Sequence, residues 1–256
     1  MRLAAVIARK EIHDHVRDTR SLLSSVLMSL MGPSVVFLVS LSGRTRGQEG
    51  EAILVGMLSI FALVASFSGA ADIAIDLAAG ERERHSLVPL LLNPVSAREV
   101  IVGKWIAVAA FAFAALMVNG VALTLVLSSA DPSLLARRGL QLMVWVGLGL
   151  VPLAALGAST NLFVALLCRT TKEAHTASRI LAFAPMLVGM FLVFFPAWAD
   201  RVWFLIPIVG QQALLSVDSS VPLVRGVLLA LVTALVAVVP LVGTIWVLGR
   251  DDVLST

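Results

Sequence analysis

Residues 76–104 read DLAAGERERHSLVPLLLNPVSAREVIVGK. The stretch is a polar interruption between two long apolar runs, with Glu81, Arg82, Glu83 and Arg84 consecutive and His85 next. A charge at the centre of a bilayer costs about 2.5–3.5 kcal/mol on insertion scales, so this run would cost on the order of 10 kcal/mol in hydrocarbon. It must lie outside the hydrocarbon. Local signals nevertheless predict that it is folded. Ser96 and Glu99 have the S-x-x-E spacing of a capping box, in which each side chain satisfies an orphan backbone N–H of the first turn. Asn93-Pro94 breaks any preceding helix, and Ser86 is placed to cap a short helix through Leu90, Leu91 and Leu92. The stretch reads as two short helices on the membrane face. Their mixed charges suit a protein surface better than anionic lipid, which attracts segments rich in Lys and Arg alone.

The composition explains why a membrane frames this stretch. The chain is 59% hydrophobic and 14% charged, and its mean hydropathy is +0.98. A soluble domain carries about 25% charged residues. An all-α integral membrane protein follows. At about 20 residues per span, 256 residues hold six spans and short loops, with no room for a soluble domain of ordinary size. One transmembrane domain over 1–256 is expected. An amphipathic interfacial helix occupies 2–19, and spans fall at about 21–41, 52–75, 105–127, 140–167, 180–198 and 224–248. Loop 76–104 joins the second and third.

The N-terminal helix sets Leu3, Val6, Ile7, Ile12 and Val16 among Lys10, Glu11, Asp14, Arg17 and Asp18. Such a helix lies in the interface plane rather than across the bilayer. No cleavable signal peptide is visible there. Thr170 and Glu173 repeat the capping-box spacing before the fifth span. Residues 200–218 are too short and too broken for a clean crossing, and read as a re-entrant or interfacial hairpin on the outer side before the last span. Pro207, Gln211 and Gln212 within it either line a gate or satisfy a broken helix. Cytoplasmic segments carry the excess of Lys and Arg. Placing the N-terminus inside leaves only Arg44, Arg46, Arg137, Arg138, Arg201 and Arg225 outside, of 19 basic residues. Both termini are then cytoplasmic.

Several chemistries find no support in the sequence. There is no G-x-x-x-x-G-K-[ST] phosphate loop, no H-E-x-x-H and no G-x-S-x-G. No catalytic, cofactor-binding or metal residues are assigned to this chain, and no nucleic-acid partner. The single cysteine, Cys168, excludes an internal disulfide. His13 and His15 are two apart on a helix and face different ways, which does not suit a metal. Asp72 and Asp76 share one helix face and are expected to pair with Arg82 or Arg84 rather than line an ion path. Asn119 and Asn161 read as helix-packing hydrogen bonds.

The segment quoted first closely resembles the one after the second span of ABC-2 type transporter permeases, particularly the sodium-efflux NatB-like branch. RKEIHDHVRDTRSLL at 9–23 resembles the same family's approach to its first span, and IPIVGQQALL at 206–215 its extracellular re-entrant segment. The resemblance covers nearly the whole chain in order. It implies the membrane subunit of an ATP-driven exporter in a bacterial plasma membrane. Such subunits pair as a homo- or heterodimer and work with two cytosolic ATPase subunits, which hold the ATP and Mg. It makes the 2–19 helix a connecting helix and 76–104 a coupling loop seated on the ATPase. Gly80, Glu81, Arg82, Glu83, Pro94 and Lys104 match the motif, and Arg84 lies in the same charged run. His85 stands where the family usually has Gly, and the loop after the first span is about ten residues where many NatB-like members carry a large domain. An ATP-independent carrier or a membrane anchor is the alternative, although carriers more often keep ionisable residues at mid-membrane and show repeated halves.

Overall fold

The computed structural model describes residues 2–42, 47–84, 96–195, 202–215 and 222–249. Within them every regular element is helical. Helix α1 (Arg2–Arg17) precedes α2 (Thr19–Leu41) and α3 (Gly47–Ser68). A turn at Gly69–Ala70 leads into α4 (Ala71–Ile75), a π turn (Asp76–Gly80) and a last helical turn (Glu81–Glu83). Then come α5 (Ala97–Ala130), α6 (Pro132–Trp145), a second π turn (Val146–Leu150), α7 (Val151–Leu167) and α8 (Thr171–Phe194). A 3-10 turn (Val202–Leu205), α9 (Val209–Leu215) and α10 (Leu223–Leu248) complete the order.

Among the described residues six stretches are long and apolar enough to cross a membrane: Leu22–Leu41, Ala52–Glu83, Ala97–Ala130, Val146–Leu167, Thr171–Leu192 and Leu223–Leu248. Their burial separates centre from periphery. The Val146–Leu167 window is 61% buried and the Ala52–Glu83 window 56%, against 22% for each of Leu22–Leu41, Thr171–Leu192 and Leu223–Leu248. Helix α7 is thus the hub, packing on α3, α5, α8 and α10. Small residues make this possible. A Cβ on Gly157 would lie 2.4 Å from the Ser66 carbonyl oxygen, so the α7 and α3 backbones touch. Apolar contact does not select one helix packing over another in lipid, so close approach and interhelical hydrogen bonds do the sorting. Asn161 Nδ2 donates to the Phe67 carbonyl at 2.9 Å, Asn119 Nδ2 to the Ser29 carbonyl at 2.8 Å, and Trp105 Nε1 to Ser159 Oγ at 2.8 Å. The two asparagines do the packing work expected of them.

The helices overrun the apolar windows. Helix α5 begins at Ala97 rather than 105, and α8 at Thr171 rather than 180. A cap, not the edge of an apolar run, starts a helix. Ser96 Oγ accepts from the Glu99 N–H at 3.3 Å and donates to its carboxylate at 3.0 Å. Thr170 Oγ1 accepts from the Glu173 N–H at 3.2 Å. The expected second short helix of the polar stretch is therefore the first turns of α5. Its charged opening, Asp76–Glu83, continues from α4. The helix expected from Ser86, and Pro94 with it, lie outside the described residues. The expected loop at 128–139 is helical on both sides of Asp131, because Pro132 suits the first position of a helix, where its missing N–H is not needed. Pro152 explains the second π turn: it has no N–H to give Leu148 and its ring crowds that carbonyl.

Helix α1 packs along the start of α5. It buries Ala4, Ala8, Glu11 and His15, while Val6 and Val16 stay exposed on the other side. Alanine thus supplies the contact with α5, and the larger Val6 and Val16 point away from it. Gly103 admits this contact: a Cβ there would lie 2.8 Å from the Ala4 carbonyl oxygen.

Candidate functional site

The π turn and the charges after it gather α1, α5, α7 and α8 around one end of the bundle, here termed the ledge. Leu248, the last residue of α10, shares a small space with Leu77, Ile101 and Lys104, so that helix ends here too.

The four consecutive charges each go to a different group. Glu81 pairs with Lys104 of α5, whose ammonium also donates to the Leu77 carbonyl at 2.6 Å. Lys104 is 1% exposed. A buried ammonium is tolerable only with a counter-charge and further acceptors, and it has both. Arg82 Nη1 donates to the Leu166 carbonyl at 3.3 Å, at the C-terminal end of α7. Glu83 Oε2 accepts from the Thr171 N–H at 3.0 Å, at the N-terminal end of α8. A cation on a helix C-terminus and an anion on a helix N-terminus each oppose the local end of the helix dipole. Arg84 returns to Asp76 Oδ1 at 2.6 Å. The alternating signs thus match the elements they meet.

Gly80 leaves space for that last pair, since a Cβ there would lie 2.9 Å from Asp76 Oδ1. The other Asp76 oxygen lies 3.5 Å from His15 Nε2, and His15 Nδ1 lies 3.3 Å from the Glu11 carbonyl. Phe111 of α5 meets the same imidazole edge to face at 6.0 Å. Asp72, one turn back, accepts from Ser24 Oγ of α2 at 2.9 Å and lies 3.8 Å from His175 Nδ1 of α8. Asp76 therefore takes the arginine expected of it, whereas Asp72 ties α2 to α4.

On α1, Lys10 bridges Glu11 at 3.2 Å and Asp14 at 3.5 Å. Burial pulls its ammonium down, but the two carboxylates outweigh that and hold it above its ordinary value. Lys10, Asp14 and Asp18 face Asp76, Glu81 and Arg84 across an open polar hollow of about 360 Å³. Arg17 is exposed at the helix end. His13 borders a different depression, with Arg9 and Val16, so the two histidines do face apart. Beside the ledge, burial and then the charge of Glu173 push the Cys168 thiol up from its ordinary range.

Pro207, Gln211 and Gln212 are at α9. This helix has seven residues, about 10 Å at ~1.5 Å per residue, a third of the hydrocarbon thickness. Ile208 before it has φ of 78°, a strained value for a β-branched residue. Gln211 Oε1 accepts from the Ile208 N–H at 2.6 Å, which braces that strain, and its Nε2 donates to Thr233 Oγ1 of α10 at 2.8 Å. Gln212 Nε2 donates to Ser59 Oγ of α3 at 2.8 Å. Both glutamines are buried. The Gln211 amide thus bonds the backbone at the break and α10, and the Gln212 amide ties α9 to α3.

The sequence motif and its charged run named Gly80, Glu81, Arg82, Glu83, Arg84 and Lys104, and the structure places them together at the ledge. Sequence reasoning missed that Glu81 and Arg82 turn inward, that the exposed Glu83 reaches the start of α8, and that His15, Ser24, Asp72 and Thr171 belong to the same network. One signal was available: Lys104 sits in VIVGKWIAV, where a lone cation needs a partner of opposite sign.

The sequence has relatives of known family. The sequence profile of the family described as ABC-2 family transporter protein matches residues 5–253. The ABC transporter permease protein NatB of Bacillus subtilis (strain 168) is 34% identical over 169 residues, which is 63% of this chain and 44% of that protein. The match therefore spans less than half of that relative's length. With six helices fit to cross a bilayer and a family match over nearly all its length, the chain is a multi-pass membrane protein of the ABC-2 transporter family.

Proposed function

We propose that this chain is the permease subunit of an ATP-driven exporter, and that the ledge is where an ATPase subunit drives it. The relative carries the name of an ABC transporter permease. In this reading ATP and Mg are held by two cytosolic partner subunits, and a second permease copy or paralogue completes the path. The ledge and both termini face the cytoplasm of a bacterial cell. The whole chain acts as one permease domain, and 200–218 is a re-entrant hairpin on the outer side.

The observation that carries the reading is the routing of the four charges. The segment 85–95 springs from Arg84 at one end and Ser96 at the other. A push on it reaches α5 through Glu81 and Lys104, α7 through Arg82, α8 through Glu83 and α1 through Asp76 and His15. Glu81, Arg82, Glu83, Lys104 and the buried Glu11 act as positioning residues, Arg84 and the α1 residues Lys10, Asp14, Arg17 and Asp18 offer the outward contact, and Pro94 belongs to the gripped segment. A ligand or partner shifts a conformational equilibrium only by its differential affinity for the two states. The ATPase must therefore grip 85–95 differently when its own halves are open and closed. Pro207, Gln211 and Gln212 line the outer gate of the path.

The test is the Glu83→Ala variant in the assembled complex. The helix-start contact to α8 is lost while the Glu81–Lys104 pair remains. ATP hydrolysis should persist and export into vesicles should fall at least tenfold. Export at the original rate, with the complex intact, would reject the role of the ledge.

A further inference from the structure

Helix α1 has a second side, turned away from the polar hollow. There Arg9, Ile12, His13 and Val16 border an open groove of about 470 Å³, walled also by Ala8 and by Ile106 of α5. Arg9 and His13 are one helical turn apart and both are exposed. Neither side chain has an ion-pair or hydrogen-bond partner among the described residues. No acid lines the groove, whereas Glu11, Asp14 and Asp18 all border the hollow on the other side. Lys10, by contrast, stands between two carboxylates. This face of α1 thus pairs two basic side chains with an aliphatic wall.

Helix α5 places the groove at the edge of the hydrocarbon. It has 34 residues, about 50 Å at ~1.5 Å per residue, so it overruns a hydrocarbon layer of about 30 Å. It carries no charge after Lys104, so the apolar crossing begins near Trp105. Ile106 follows at once and is 38% exposed, and Val16 of α1 is 52% exposed. The groove therefore lies at the level where lipid headgroups give way to acyl chains.

We infer that this groove is a binding site for an anionic phospholipid, with its phosphate on Arg9 and His13 and the upper part of an acyl chain against Ile12, Val16 and Ile106. The planar guanidinium matches a phosphate with two parallel N–H donors. The imidazole adds an N–H donor in either protonation state. A zwitterionic lipid brings a cation of its own, which finds no carboxylate in the lining. A soluble anion gains the two basic contacts and leaves the aliphatic wall unused. A protein segment must displace lipid from Ile106 and gains little by it, because lipid tails are as apolar as leucine. An anionic lipid satisfies both parts of the groove and is supplied by the bilayer that adjoins it. The site stands independently of how the ledge is driven.

The test uses the purified full chain in phosphatidylcholine nanodiscs containing a trace of photoactivatable lipid. The probe is phosphatidylglycerol or phosphatidylcholine with the same diazirine-bearing acyl chain. After illumination the labelled residues are mapped by mass spectrometry. Phosphatidylglycerol should label 5–16 and 106 at least fivefold more than phosphatidylcholine does. Excess unlabelled phosphatidylglycerol should displace it, and inorganic phosphate should not. Arg9→Gln should reduce labelling by phosphatidylglycerol at least threefold. Lys172→Gln removes one charge from another exposed helix position and should leave labelling intact. Equal labelling by the two lipids, or no label at 5–16 and 106, would overturn the site. Displacement by inorganic phosphate would reduce it to a simple anion site, and an equal loss in Lys172→Gln to general attraction by a basic surface. Either would overturn the proposal. The ratio of the two lipids on the unaltered chain decides the matter even where a variant fails to fold.

Discussion

Lys104 is the residue on which the ledge turns. Its charge is buried against Glu81 and the Leu77 carbonyl, so the pair contributes through what its loss would leave behind. Removing one partner of a buried ion pair costs about 3–5 kcal/mol, whereas replacing both by apolar groups of similar size is often neutral. Glu81→Gln should therefore lower the thermal unfolding midpoint sharply in detergent. Glu81→Leu combined with Lys104→Met should recover most of the loss. A double variant as unstable as the single would show that the charges are needed for more than each other. Cys168 gives a second expectation at this scale. Burial and the Glu173 carboxylate raise its thiol, so less thiolate is present at neutral pH. In permeabilised membranes at pH 7.5 it should alkylate several-fold more slowly than a cysteine introduced at the exposed Lys172, and the gap should narrow as pH rises. Equal rates at pH 7.5 would contradict the environment described for it.

At the scale of elements, caps and close contacts set what apolar windows do not. Thr170→Ala removes the side-chain acceptor from the first turn of α8, at a cost of about 1 kcal/mol. It should also loosen the Thr171 N–H held by Glu83, so amide exchange at 171–174 should quicken more than elsewhere in α8. Uniform exchange along the helix would argue against the cap as the anchor of that contact. Gly157→Val is expected to be far more damaging, because its side chain would strike the Ser66 carbonyl in the bundle centre. Folded protein recovered at the normal yield would refute the close crossing. The same elements show what could be read in advance. The six spans were legible because a helix of about 20 consecutive apolar residues matches the hydrocarbon thickness and little else. The starts of α5 and α8 were legible through Ser96 and Thr170. What lay hidden was direction. A run of four charges gives no clue to which side chain turns inward, because that depends on where the ends of α7 and α8 arrive in space. The burial of α1 through alanines was hidden for a related reason: the hydrophobic pattern favoured the bulky face, and in a membrane protein that face can equally meet lipid. The seven-residue α9 was legible as a broken stretch, but not the positive φ of Ile208 that breaks it.

At the scale of the whole molecule, the ledge gathers α1, the end of α4, the start of α5, the junction of α7 and α8, and the last turn of α10 at one end. Six crossings return the chain to the side on which it began, so the N-terminal helix and Leu248 share that end. The basic residues favour the cytoplasm for it, since Lys and Arg retained near span ends set orientation. On the proposed orientation the connection between α2 and α3 lies outside, although it is short and carries charges of its own. Single cysteines at two sites separate the possibilities in a chain where Cys168 has first been replaced by Ser. Lys172→Cys sits on the ledge beside Thr171, and Ser42→Cys follows the last residue of α2. In intact cells a membrane-impermeant maleimide should label the cysteine at 42 and spare the one at 172. Permeabilised membranes should label both. The reverse pattern would turn the ledge away from any cytosolic ATPase, and the coupling role proposed for it would have no force to transmit. Labelling of both sites in intact cells would break the parity of six crossings itself, because α2 and α8 could not then begin on the same side.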